Sequence, residues 1–195
     1  MKKAMFDVGN VILKADHKIT FDILKKYGVP EENAANFYNN ADYAAFSRGK
    51  ISRKDFYAAI VEKHVRFQLT YEQVVEAHDK HIYEVDTDVM RIVSGLPGII
   101  VFTNTNEWQT NRERELVDLE KYSDKIIRSH EIGMLKADEG CFEKIIKEFE
   151  LNPSEVIFID DNKENIEKAM MAGMDGILFT DAKNLERKMK EKHLI

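Results

Sequence analysis

The chain has 195 residues, 44% apolar and 33% charged, the composition of a soluble globular protein with room for one substantial core and a small satellite but not two full domains. Its formal charge of −6 and the lack of any Lys/Arg block argue against a nucleic-acid partner, and no apolar stretch approaches the roughly 18 residues of a membrane span. A single cysteine, Cys141, excludes an intramolecular disulfide and a cysteine-rich zinc site, which fits a buried thiol in a cytoplasmic protein.

Met1-Lys2-Lys3 ahead of apolar residues imitates a secretory leader. Asp7 interrupts the run and no small-residue cleavage site follows, so the start is expected to be part of the fold. Lys3 to Phe6 reads as a first strand, broken by a carboxylate at Asp7 and then by Gly9-Asn10. Aspartate is a poor strand residue and costly to bury, so this break calls for a use.

From about residue 15 to 90 the pattern is helical, with no convincing strand. Tyr27-Gly28-Val29-Pro30 closes a first helix, and "SRKD" from Ser52 and "TYEQ" from Thr70 have the form of capped helix starts. The aromatic residues Phe37, Tyr38, Tyr43 and Phe46 fit the core of this insert better than a sugar-stacking platform. With no Gly/Ser linker, the insert is expected to pack on the rest of the chain and to hinge near residues 14–17 and 85–92.

Four more strands are predicted, at Ile99 to Phe102, Lys125 to Arg128, Val156 to Ile159 and Gly176 to Phe179. Helical spacing recurs at Phe142, Ile145, Ile146 and Phe149, and again at Ile166, Ala169 and Met170, with Gly173 placed to end the second of these helices. Alternating strands and helices predict an α/β fold with a doubly wound parallel sheet. The resulting division is a core of residues 1–14 and 91–195 carrying a helical cap of residues 15–90.

In a parallel sheet all strands present their C-terminal ends at one edge, where ligands bind. Three of the predicted strands end there in reactive groups: Asp7, Thr103 with Asn104, and the pair Asp160/Asp161. Clustered carboxylates repel unless a cation sits among them, and Mg²⁺ suits carboxylates, a backbone carbonyl, water and a substrate phosphate. Gly9 allows a sharp turn whose amides can face an anion, and Thr103 offers a hydroxyl and a helix-start amide to the same anion. Lys136, read as standing just before the helix that carries Phe142, is out of place beside a positive helix end and calls for an anion of its own. Taken singly these residues have ordinary uses: Asp161 with Glu164 as a capping box, Thr103 or Asn104 as a cap, Lys136 as a solvated lysine.

"FDVGNV", "FTNTN", "GMLK" and "FIDDNKENIEKAMMAGM" stand in the order of the four motifs of the haloacid dehalogenase-like (HAD-like) superfamily. The set looks most like the subgroup with alpha-D-glucose-1-phosphate phosphatases and the N-terminal phosphatase domain of epoxide hydrolases, and "FSRGKISRKDFYAAI" is similar to their helical cap. The resemblance implies a Rossmann-like core and a Mg²⁺-dependent phosphatase acting on a small phosphate ester, in particular a sugar phosphate. It also implies roles. Asp7 is the nucleophile that forms an aspartyl-phosphate; Asp7, the Gly9 carbonyl and Asp161 hold the metal; Thr103, Asn104 and Lys136 hold the phosphoryl oxygens. Asp160 orients Lys136, and Asn165 supports the metal ligands through hydrogen bonds.

Two positions depart from the superfamily. Gly9 stands where most of its phosphatases have a second aspartate that protonates the leaving group, which leaves the proton donor open among water, the substrate and cap residues such as His17, Tyr43 and His78. Ala137 stands where proline usually follows the lysine, which is expected to loosen the start of the next helix. Two alternatives remain at this level: carbon–halogen cleavage by the same aspartate, against which the acidic pair argues, and a non-catalytic module that binds a phosphorylated ligand.

Overall fold

The computed structural model describes residues 2–37 and 40–195, with only the backbone of Phe37; Tyr38, assigned above to the core of the insert, lies outside the described residues. In chain order the elements begin with β1 (Lys3–Phe6), β2 (Leu13–Ala15), α1 (His17–Lys26), α2 (Glu31–Ala34), α3 (Ala41–Ser47), α4 (Arg53–Lys63) and α5 (Tyr71–Asp79). Then come β3 (Ile82–Val85), α6 (Thr87–Ser94), β4 (Ile99–Thr103), α7 (Glu107–Leu116), β5 (Ser123–Arg128) and α8 (Ser129–Ile132). The chain ends with α9 (Cys141–Glu148), β6 (Val156–Asp160), α10 (Lys163–Met171), β7 (Asp175–Leu178) and α11 (Ala182–Glu191).

Five strands form one sheet in the order β5-β4-β1-β6-β7, every pairing parallel. β1 is central because its side chains are apolar on both faces. Ala4 and Phe6 join a cluster with Val89, Ile92, Leu185 and Met189 from α6 and α11. Met5 points the other way, into a cluster with Phe142 and Ile145 of α9 and Ile166 and Ala169 of α10. This period-two division, with helices on both faces, is what a parallel sheet requires. β1 also lies where the strand order reverses direction, the place where open α/β sheets part to form a crevice.

The helices α1 to α5 build a third cluster of their own, with Leu24, Phe46, Phe56, Ile60 and Val74, into which α7 inserts Trp108. The expected capping boxes are present: Ser52 with Asp55 starts α4 and Thr70 with Gln73 starts α5. The expectation that residues 15–90 hold no strand is overturned. β2 and β3 pair antiparallel with Leu13 opposite Val85, and Asp16 N donating to His81 O and Asp86 N donating to Ile12 O extend the ribbon at 2.9 Å each. Each strand is too short to show an alternating pattern, and it is the pairing of the two, distant in sequence, that stabilises both. Among the described residues, no helix is long and apolar enough to cross a membrane.

Candidate active site

Sheet register brings the acidic residues together. Phe6 pairs with Ile159, and Asp7 N donates to Ile159 O at 2.8 Å, so Asp7 emerges beside Asp160, the last residue of β6. One carboxylate oxygen from each of Asp7, Asp160 and Asp161 lies within 4.8 Å of the others. On the other flank, Phe6 pairs with Val101, so β4 ends at the same edge in Thr103, which is buried.

Lys136 reaches this edge from the loop between α8 and α9 and is 1% exposed. Its Nζ lies 2.6 Å from Asp7 Oδ1 and 2.8 Å from Asp160 Oδ2, with the Phe102 and Phe158 rings 5.4 and 5.3 Å away. Burial alone pulls the ammonium down, but Asp7 and Asp160 outweigh it and hold Lys136 above its ordinary value. Asp160 is occupied by donors: Lys136, the Asn162 amide at 2.8 Å, and Asn165 Nδ2 at 3.1 Å to each oxygen. Asp7 receives the Val8 amide at 2.7 Å on Oδ1, the same oxygen that meets Lys136.

The electrostatic balance at Asp7 decides what this site can hold. Burial raises its pKa; Lys136 lowers it and Asp160 raises it again, leaving it at about 7. Three carboxylates here face one ammonium, Lys136, which leaves negative charge for another cation to offset. Asp161, at the open side, is also raised, by burial and by Asp160, and hydrogen-bonds Asn10. A dense set of hard oxygen donors with uncompensated negative charge fits a small divalent cation, and Asp7 and Asp161 are the members not saturated by protein donors.

The family model for "haloacid dehalogenase-like hydrolase" matches residues 2–173. The chain belongs to the haloacid dehalogenase-like hydrolases. It is similar to the D-ribitol-5-phosphate phosphatase of Bacteroides thetaiotaomicron, 27% identical over 177 residues and 85% of each chain. It is also similar to a sesquiterpene phosphatase of Aspergillus oryzae, 26% identical over 189 residues, 93% of this chain and 91% of the other. Among solved structures, a HAD family enzyme of B. thetaiotaomicron in a magnesium complex has the same fold, with TM-score 0.86 and 21% identity over 96% of this chain and 98% of that one.

Within this HAD-like hydrolase, Asp7, Thr103, Lys136, Asp160, Asp161 and Asn165 gather at one edge as expected, but several local readings change. The left-handed turn residue after β1 is Asn10, φ 54°, and not Gly9; Asn10 Oδ1 accepts from Ala15 N at 3.1 Å, which holds the turn. A Cβ added to Gly9 would meet nothing within 4 Å, so glycine there leaves open space. The cap of α7 is Asn106, which accepts from the Trp108 and Gln109 amides, so neither Thr103 nor Asn104 starts that helix. Asn104 is exposed, and its Oδ1 accepts from Lys136 N at 2.9 Å, tying the β4 loop to the lysine loop. Asn162 caps α10, which leaves the Asp161 carboxylate out of any capping box. Lys136 stands five residues ahead of α9, not at its start; burial beside carboxylates, not a helix end, explains its place. Asn165 supports Asp160 directly.

The proton-donor candidates on the helical insert all pack against other aromatic rings, with Tyr43 5.8 Å from His78 between ring centroids. His78 is buried against Trp108 at 5.2 Å between ring centroids, and burial pulls it down to about 3. Burial pushes Tyr43 up to about 12. His17, pulled down by burial, stacks on His81 at 4.9 Å. The histidines at 17, 78 and 81 thus gather next to the end of the β2–β3 ribbon, a grouping that the scattered sequence positions hide.

Proposed function

We propose that this phosphoric monoester hydrolase is a Mg²⁺-dependent phosphatase of small phosphorylated metabolites, with a sugar phosphate as the favoured class, acting through an aspartyl-phosphate on Asp7. The observation that carries the reading is the buried Asp7–Lys136–Asp160 cluster with Asp161 beside it. The relative named for ribitol 5-phosphate supports the substrate class.

In the first step an Asp7 carboxylate oxygen attacks phosphorus and the ester P–O bond breaks, the leaving oxygen taking a proton. In the second, water attacks the phosphorus of the aspartyl-phosphate, releasing inorganic phosphate and restoring the carboxylate. Lys136 holds Asp7 in place and offsets charge on the phosphoryl oxygens. The Thr103 hydroxyl and the amides of the Thr103–Asn104 turn orient them. Asp160, held by Asn162 and Asn165, keeps Lys136 pointed at the reacting carboxylate. Asp7, the Gly9 carbonyl and Asp161 would hold Mg²⁺, which when bound neutralises the transferring group. The open space over Gly9 lets water serve as proton donor where a side chain is lacking. Residues 15–90 act as a cap over the core of residues 1–14 and 91–195, excluding bulk water and selecting the substrate.

The test is phosphate release from a panel of sugar phosphates, nucleotides and phosphorylated acids with Mg²⁺ present, run beside Asp7→Asn. The expected result is turnover of at least one ester by the wild type and none above background by the folded variant. Turnover retained by Asp7→Asn removes Asp7 as nucleophile, and activity that survives exhaustive EDTA treatment removes the metal.

A further inference from the structure

The stretch "FSRGK" at residues 46–50 has no part in the chemistry above, yet its Arg48 joins the helical insert to the loop that delivers Lys136. Arg48, just past the end of α3, forms a two-armed pair with Asp138: Nε to Oδ2 at 2.7 Å and Nη2 to Oδ1. Its third nitrogen, Nη1, donates to Ala44 O at 3.1 Å, so the guanidinium is fixed to its own helix as well. Asp138 in turn accepts from Leu135 N at 2.9 Å, while Asp138 N donates to Leu135 O at 2.9 Å. The Leu135–Asp138 turn that carries Lys136 is therefore closed by the carboxylate that Arg48 grips.

Two further contacts seat the same turn of the insert. Ser129, fully buried, donates from Oγ to Ser47 O at 2.7 Å and also lies 2.9 Å from Thr105 O, linking the insert to the loop after β4. Gly49, φ 64°, lies so close to the backbone of His130 that an added Cβ would stand 2.1 Å from its carbonyl oxygen. Ala137 lacks the ring that would stiffen the lysine loop from within, so external ties matter more here.

Resting on the phosphatase reading above, we propose that Arg48 is a positioning residue: through Asp138 it makes the placement of Lys136 depend on the seating of the helical insert. Two planar groups joined by parallel hydrogen bonds fix orientation as well as distance, which a single contact would not. Because Lys136 must meet Asp7 within hydrogen-bond reach, a small displacement of its loop is felt at the nucleophile.

The test measures Mg²⁺-dependent hydrolysis of p-nitrophenyl phosphate by Arg48→Ala, Arg48→Lys, Asp138→Ala and the Arg48→Ala/Asp138→Ala double variant. Hydrogen exchange of the peptide spanning residues 133–140 is followed in parallel. The expected result is a loss of about 10- to 100-fold in kcat for Arg48→Ala with KM little changed, and partial recovery in Arg48→Lys. Arg48→Ala should cause no further loss once Asp138 is gone, and exchange should be faster at Leu135 and Lys136. A merely structural role predicts a lower melting temperature with wild-type kcat per folded molecule, or a purely additive double variant; either outcome overturns the proposal, as does unchanged exchange. If the wild type hydrolyses no phosphate ester, the functional reading fails by itself, and the exchange comparison alone decides whether Arg48 governs the lysine loop.

Discussion

Replacing Lys136 by methionine keeps most of the side-chain volume and removes only the charge. Lys136 is 1% exposed and lies 2.6 and 2.8 Å from two carboxylates, so the variant buries Asp7 and Asp160 with no counter-ion. Removing one partner of a buried pair costs about 3–5 kcal/mol. For a chain of this size each kcal/mol moves the melting temperature by roughly 2–4 °C, so Lys136→Met should melt about 6–20 °C below the wild type in EDTA at pH 8.

The pH dependence carries the sharper test. Even with its lysine, Asp7 is raised by burial to about 7 from an ordinary 3.8, and without Lys136 it must rise further. A carboxyl raised in the folded state takes up its proton in a window where the unfolded chain does not, so acidification through that window favours the fold. The deficit of Lys136→Met should therefore shrink on going from pH 8 to pH 5.5, and millimolar Mg²⁺ at pH 8 should restore part of it. Thermal melts at both pH values, with EDTA or Mg²⁺, read this directly. A variant within about 2 °C of wild type at pH 8, or a deficit that is the same at both pH values, refutes the charge balance argued for this site.

In the wild type the same logic predicts that Mg²⁺ raises the melting temperature more at pH 8 than at pH 5.5, because the raised Asp7 carboxyl holds a proton against the metal at the lower pH; differential scanning calorimetry with and without Mg²⁺ measures it. Gly49→Ala should cost more than about 1 kcal/mol in urea unfolding, since a left-handed residue gains a Cβ against backbone. It should also lower kcat in the manner of Arg48→Ala, and a stability loss with unaltered turnover would separate the two contacts.

The parts of the molecule that could be read from the chain are those where a residue breaks a local rule. Asp7 and Asp160 close apolar runs that would otherwise continue, and the three inner strands β1, β4 and β6 are legible because burial on both faces leaves nearly uninterrupted apolar stretches. Lys136 also stood out, although for the wrong reason: its distance from α9 shows that the demand for an anion comes from burial. Ser52 and Thr70 announced their helices because a capping box lies within four residues. A pairing between remote residues leaves no such trace. β2 and β3 are three and four residues long, and each becomes a strand only because the other is there.

Arg48 and Asp138 illustrate the same limit at the level of chemistry. In a chain with 29 basic and 35 acidic residues, an arginine after one helix and an aspartate ninety positions later have nothing to single them out, and most such pairs at a surface contribute little. What distinguishes this one is its place in a chain of contacts, from the Ala44 carbonyl through Arg48 and Asp138 to the Leu135 amide and so to the loop of Lys136. The strand ends bring Asp7 and Asp160 to one edge by sheet register alone, whereas Lys136 arrives on a loop and needs its orientation supplied. Part of that orientation comes from Asn104 of the β4 loop and part from the helical insert. On the reading proposed above, an Asp7 held by the sheet and a Lys136 held partly by the insert come into register when the insert is seated, which would make this loop the place where substrate selection and chemistry meet.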